Sequence, residues 1–308
     1  MKFYIGNTDL QWYNSVSALN PEDVNFWQPG GKVAFRVLEQ GGPFLLKLKA
    51  PINRVAGIGF FTSFSFLPIN FAWEIFGLRN GCPDLATFRG KIETYRGNAN
   101  SLKDNPNIGC IVLTSPVFFD KTDWLPPPED WASNIVAGKS YSTDTVIGRK
   151  YWEKIEAVLH KSSLLQAASV GEDRLEPQYI ETIARTRIGQ GAFRVMITDA
   201  YSRRCAVTGE KTLPVLEAAH IMPYSVSGIN TTDNGLLLRA DLHKLFDNGY
   251  ITVTKNLRVE VSGRIREEFE NGRDYYQYQG KELRSLPARV NDMPSGEFLE
   301  WHNDNVFR

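Results

Sequence analysis

Histidine and cysteine are both scarce here: four histidines and three cysteines in 308 residues. The cysteines, Cys82, Cys110 and Cys205, lie far apart and never form a CxxC pair. An odd, scattered set excludes a disulfide framework and a four-cysteine zinc site. A reducing cytoplasm is the compartment that fits. Net charge is also missing, with 35 basic and 35 acidic side chains, which argues against holding nucleic acid by bulk charge alone. No apolar run reaches the roughly 18–20 residues a bilayer span needs. The start, MKFYIGNTDLQWYN, lacks the basic-then-apolar layout of a secretion signal. Neither an internal repeat nor a low-complexity tract is present. What is there is ordinary for a globular chain, 42% hydrophobic and 23% charged, and long enough for two domains with cores of their own.

The first half is rich in aromatics and glycine. KVAFRVL, PFLLKLKA, GIGFFTSFSF and GCIVLTSPVFF predict short strands separated by Gly, Pro and Asn. PINFAWEIFGL (68–78) and PDLATFRGKIETYR (83–96) predict helices, the second opened by proline. RKYWEKIEAVLHKS (149–162) has helical spacing, and SVGEDRLEPQ (169–178) is polar. The expected layout is α+β: a small curved sheet or barrel with outer helices over 1–165, a linker at 166–178 and a second domain at 179–308. In the second domain a helix is expected from about 192 to 203. Strands at LEAAHI and GLLL, a helix at ADLHKLFDN, a hairpin at YITVTKNLRVEVS and a short helix at REEFEN follow.

Two histidines carry the chemistry. His220 ends the LEAAHI strand, Asn234 opens NGLLL, and His243 lies in the helix that follows. Asp247 is four residues after His243, so the two side chains share a helix face while Leu242, Leu245 and Phe246 can bury the other. A histidine–aspartate pair at this spacing is a two-point clamp for a hard or borderline divalent ion. Upstream, Arg185, Arg187, Arg194, Arg203 and Arg204 stand against one acid, Asp199. Such a run is a solvated helix face or an anion-binding stripe.

Strand, loop, strand and helix carrying His220, Asn234 and His243 resemble the ββα-metal fold of HNH nucleases. RIGQGAFRVMITDAYSRRCAVTG, LEAAHIMPYS, DNGLLLRADLHKLFDNG and RDYYQYQGKELRSLP resemble the HNH domains of restriction endonucleases over about 120 residues. The resemblance implies phosphodiester hydrolysis. His220 would take a proton from water, Asn234 would orient His220, and His243 would hold the metal, Mg2+ or Mn2+ with Zn2+ and Ni2+ as further options. Where many relatives place a metal-binding residue just before the base, this chain has Ala219. The second ligand must come from elsewhere. Asp247 is the first choice on helix geometry. Glu217 is next, although strand alternation puts it opposite His220 unless the strand twists or bulges. Relatives often bind structural zinc through two CxxC pairs. With only Cys205 left, no structural zinc is expected, and Cys205 is expected to be buried. Arg194 and one of Arg203 or Arg204 are expected to contact phosphates.

NFWQPGGKVAFR, PFLLKLKAPINRVAGIGFF and PINFAWEIFGLRNG resemble the N-terminal domains fused to HNH nucleases in modification-dependent restriction enzymes, of the PUA superfamily that includes SRA and EVE readers. The resemblance implies a flipped base, held between aromatic faces, with stacking of about 1–3 kcal/mol per base. Candidate pocket residues are Trp27, beside Gln28 and a double glycine, Phe60 and Phe61 after GIG, and Trp124 with Asp123, which could accept from a cytosine amino group. Trp73 reads as core. The implied partner is double-stranded DNA with 5-methyl- or 5-hydroxymethylcytosine, cut in a bacterial cytoplasm as part of a restriction system. A homodimer is expected because two strands need two sites. Two alternatives stay open: an HNH DNase indifferent to modification whose first domain binds protein or RNA, and a catalytically degenerate DNA-binding protein, motivated by Ala219.

Overall fold

The computed structural model describes residues 1–97, 105–170 and 188–308, with side chains described up to residue 162 in the helix that ends at residue 170. Most of the expected linker, together with Arg185 and Arg187, lies outside the described residues, while residues 166–170 are helical. The chain divides into two compact units, Met1–Ala192 and Phe193–Arg308. Among the described residues, no helix is long and apolar enough to cross a membrane.

The first unit is built on six strands: β1 (Lys2–Thr8), β2 (Asp23–Gln28), β3 (Pro43–Leu48), β4 (Val55–Pro68), β5 (Asn107–Phe118) and β6 (Gly138–Ser142). Their order is β2-β5-β4-β3-β1-β6, with β1 and β3 parallel and the other pairs antiparallel. Among the described residues four helices accompany them: α1 (Leu10–Ser17), α2 (Ile69–Phe76), α3 (Leu85–Arg96) and α4 (Val146–Val170). Where a small barrel was expected, the sheet is open, with β2 and β6 at its edges and no closed barrel among the described residues. The reason lies in how its faces are covered. One core gathers Phe26, Phe44, Phe61 and Leu113 with Trp12, Tyr13 and Val16 of α1. The other gathers Phe3, Ile5, Leu45 and Phe60 with Tyr151, Trp152 and Ile155 of α4. A sheet with both faces covered reads as continuous apolar strands, and the first eight residues of β4 are all buried.

The expected strand at KVAFRVL does not form; residues 33–36 carry no regular structure. The segment finds no partner in the ladder, and it contributes Phe35 and Leu38 to the α1-side core from irregular backbone. Conversely, β1, β2, β6 and α1 form where no element was expected. Helix α1 is started by Asp9, whose carboxylate accepts from the Trp12 N–H at 2.7 Å, a side-chain cap for an otherwise unpaired donor.

The second unit opens within α5 (Gln190–Ala200), which starts two residues earlier than expected. Strands β7 (Leu216–His220) and β8 (Gly235–Arg239) pair antiparallel, with His220 opposite Gly235. A short helix, α6 (Tyr224–Ser227), lies in the loop between them, and α7 (Ala240–Asp247) follows β8 directly. The hairpin β9 (Ile251–Val253) and β10 (Val259–Val261), then α8 (Arg264–Phe269), α9 (Arg273–Tyr276) and α10 (Gly296–Asn305), complete the unit. Helix α7 buries Leu242 and Phe246, one turn apart, and stops at Gly249, whose φ of 72° suits glycine.

Candidate active site and aromatic cavity

The short β7–β8 pair brings the HNH residues together. His220 ends β7 half-buried, its ring stacked on Phe193 with centroids 4.0 Å apart and planes 8° apart. Its Nε2 meets Oδ1 of Asn230 at 2.7 Å. Burial pulls the His220 pKa below the usual histidine value; the Asn230 hydrogen bond pushes it back up, nearby His243 lowers it and Asp247 raises it. A histidine so placed is neutral at physiological pH and can accept a proton.

Asn234 is fully buried. Its Oδ1 accepts from the Met222 N–H at 2.8 Å, and its Nδ2 donates to the Met222 carbonyl at 2.9 Å and the Ile229 carbonyl at 3.2 Å. The backbone adds a bond from Ile221 N–H to the Asn234 carbonyl at 3.0 Å. Asn234 therefore ties the loop after His220 and makes no hydrogen bond to the His220 ring. The ring's partner is Asn230, which the sequence reading missed. Asn230 sits in an irregular loop with no spacing signal; only its place between the two HNH residues could have drawn attention.

His243 lies between two carboxylates. Its Nδ1 meets Glu217 Oε2 at 2.7 Å, and its Nε2 lies 3.3 Å from Asp247 Oδ2. Helix α7 packs on β7, and a glutamate is long enough to reach His243, so Glu217 joins the group despite strand alternation. Desolvation raises the Asp247 pKa above the usual carboxylate value, against the lowering effect of His243. Ala219 is buried opposite Leu236 and offers no donor.

Among the described residues, no three His, Cys, Asp or Glu side chains already close on one metal position. The donor chemistry nonetheless fits a divalent ion. His243 Nε2 and the half-exposed Asp247 carboxylate, 3.3 Å apart, would offer such an ion two donors, with waters or phosphate oxygens completing the set. Glu217 on the other ring nitrogen is the kind of partner that fixes a ligating imidazole.

The arginines separate. The half-buried Arg194 points a guanidinium nitrogen at the Leu216 carbonyl, 3.5 Å away, Arg203 lies 4.0 Å from Asp199, and Arg204 is exposed. Cys205 is buried, with Sγ accepting from the N–H groups of Thr208 (3.4 Å) and Arg239 (3.3 Å).

The first unit contains a cavity of about 880 Å3 whose lining includes Asn7, Trp12, Trp27, Gln28, Tyr95 and Arg96. Trp27 lies in β2, donates from Nε1 to the Asn80 carbonyl at 2.9 Å and meets Tyr95 edge-on. Arg96 braces the rim through the Pro29 and Asn107 carbonyls, both at 2.6 Å. The other four pocket candidates do not line this cavity. Phe60 and Phe61 are buried in the cores on opposite sheet faces. Asp123 pairs with Lys161 at 2.6 Å, and Trp124 donates to the Phe119 carbonyl at 3.0 Å.

A family model described as HNH endonuclease matches residues 205–254, the stretch that holds β7, β8 and α7. No curated protein matches the chain. Among solved structures, the modification-dependent restriction endonuclease TagI is 13% identical over 92% of this chain and 75% of its own, with a TM-score of 0.28. A mutant of the protein ZmASCH from Zymomonas mobilis is 10% identical over 40% of this chain and 85% of its own, with a TM-score of 0.25.

Proposed function

Starting from an HNH endonuclease domain, which makes the chain a nuclease of the hydrolase class, we propose that it is a metal-dependent endonuclease directed to double-stranded DNA bearing modified cytosine. The observation that carries the nuclease chemistry is the placing of His220, at the end of β7, and the Glu217–His243–Asp247 group on one ββα unit.

His220 takes a proton from water, and the water oxygen bonds to phosphorus. The P–O3′ bond then breaks, and the leaving oxygen takes a proton from solvent. A divalent ion held by His243 and Asp247 would supply charge neutralisation at the phosphate and the leaving oxygen. Glu217 fixes the His243 ring, and Asn234 holds the loop that shapes the base's surroundings. Arg204, being exposed, is the best placed of the three arginines for a phosphate contact, and Arg194 supports β7 beneath the site. Asp247 beside His243 Nε2 takes the ligand place that Ala219 leaves open, which favours an active over a degenerate site.

The first unit is proposed as a PUA-like reader. Its aromatic cavity is large enough for a flipped base, with Trp27 as a wall and Gln28 as a polar handle. Cutting both strands calls for two sites, hence a homodimer, working in the bacterial cytoplasm against invading DNA.

The test uses three matched plasmids carrying cytosine, 5-methylcytosine or 5-hydroxymethylcytosine, with Mg2+ or Mn2+ and with His220→Ala as control. Cutting confined to modified DNA and lost in the mutant is the expected result. Equal cutting of all three would remove the reader, and no cutting with any metal would remove the nuclease assignment.

A further inference from the structure

His220 is held from two directions. Phe193 covers one face of the ring, and Asn230 meets its edge at Nε2. Among the described residues this is the ring's one hydrogen bond, and Nδ1 has none. Asn230 is 6% exposed. Its position is set by Asn234, which bonds the carbonyl of the preceding residue, Ile229, and both backbone groups of Met222.

We infer that Asn230 is a positioning residue for the hydrolytic step: its side-chain carbonyl holds His220 as the Nε2–H tautomer, so that Nδ1 is the nitrogen that takes the proton from water. This rests on His220 being the base, as proposed above. An amide oxygen can only accept a hydrogen bond. Facing Nε2, it therefore selects the tautomer whose lone pair is on Nδ1, as second partners of histidine generally do. When Nδ1 is protonated the ring becomes cationic, and the fixed Oδ1 dipole faces the growing charge without reorganising. An amide suits this better than a carboxylate, which would favour the charged ring and leave it protonated at neutral pH. The other polar groups near the ring are His243 and Asp247 of α7 and Tyr224 of α6, and none of them hydrogen-bonds it. Asn234 thus acts on His220 at one remove, through the loop that presents Asn230.

The test combines two measurements on the full-length protein. Nitrogen NMR of labelled histidines reports the tautomer directly; with only four histidines, the His220 signals are assigned by their loss in His220→Ala. The wild-type ring is expected as Nε2–H, and Asn230→Ala is expected to show a mixture with Nδ1–H. In cleavage assays with Mn2+, Asn230→Ala should lower kcat by roughly 10–100-fold with KM unchanged. Asn230→Asp, nearly isosteric, should move the acidic limb of the pH–rate profile upward by a unit or more. It also carries the test if the alanine variant does not fold. A wild-type Nδ1–H ring, or an aspartate variant whose pH profile is unmoved, would overturn the proposal. Full cleavage by His220→Ala would instead remove the base assignment, and the NMR result would still decide what Asn230 does to the ring.

Discussion

His243 is the side chain on which the site turns, because each of its ring nitrogens faces a carboxylate. If Asp247 ligates while Glu217 orients, the two substitutions must differ. Asp247→Asn is expected to abolish measurable Mn2+ binding by calorimetry. Glu217→Gln should weaken it about 10–100-fold, the usual cost of losing an outer partner. Equal losses would make Glu217 a ligand as well. A second histidine has a different task. His302 is buried, donates from Nε2 to the Phe246 carbonyl at 3.1 Å, accepts at Nδ1 from the Thr252 hydroxyl at 2.8 Å and stacks on Phe246. Burial lowers its pKa to about 4 from 6.5, against the raising effect of the carbonyl. Between those values the unfolded chain binds a proton that the folded one does not, so stability rises with pH across that window. Its contribution is whole above pH 6.5 and lost as pH falls through 4, about 3 kcal/mol in all. The melting temperature of the second unit should fall on acidification through this range, and His302→Gln should flatten the slope.

At the scale of elements, β8 and α7 set the geometry around these residues. Gly235 lies opposite His220, and a Cβ there would come 2.2 Å from Ile197 and 2.9 Å from Phe193, the ring beneath His220. Gly235→Ala should therefore destabilise by about 1–3 kcal/mol and reduce cleavage while leaving Mn2+ affinity unchanged, which a denaturant melt and a metal titration can compare. Gly249 ends α7 with a positive φ, and a Cβ would sit 2.0 Å from the Val306 carbonyl oxygen. Much of α7 was legible in the sequence, because Leu242/Phe246 and His243/Asp247 alternate at helical spacing across one short segment. KVAFRVL was misleading for a physical reason. Phe35 and Leu38 are buried while Val33 stays exposed, and ladder pairing depends on a neighbour that only the fold supplies.

At the scale of the whole molecule, the chemistry and the proposed recognition belong to separate compact units. Trp27→Ala is expected to abolish the preference for modified plasmids and to leave the His220-dependent cutting of unmodified DNA, if any, at its original rate. Loss of all metal binding in that variant would count against a reader confined to the first unit. The sequence alone determined the α+β class and the helix face shared by His243 and Asp247, because each follows from local spacing, and its resemblance to HNH domains singled out His220, Asn234 and His243. The tertiary structure alone decided that Glu217 reaches His243, that Asn230 meets His220, that the sheet stays open and that Trp27, not Phe60 or Phe61, lines a cavity. These are contacts between residues far apart in the chain or held in irregular loops, where no period in the sequence records which side chains the packing will bring together.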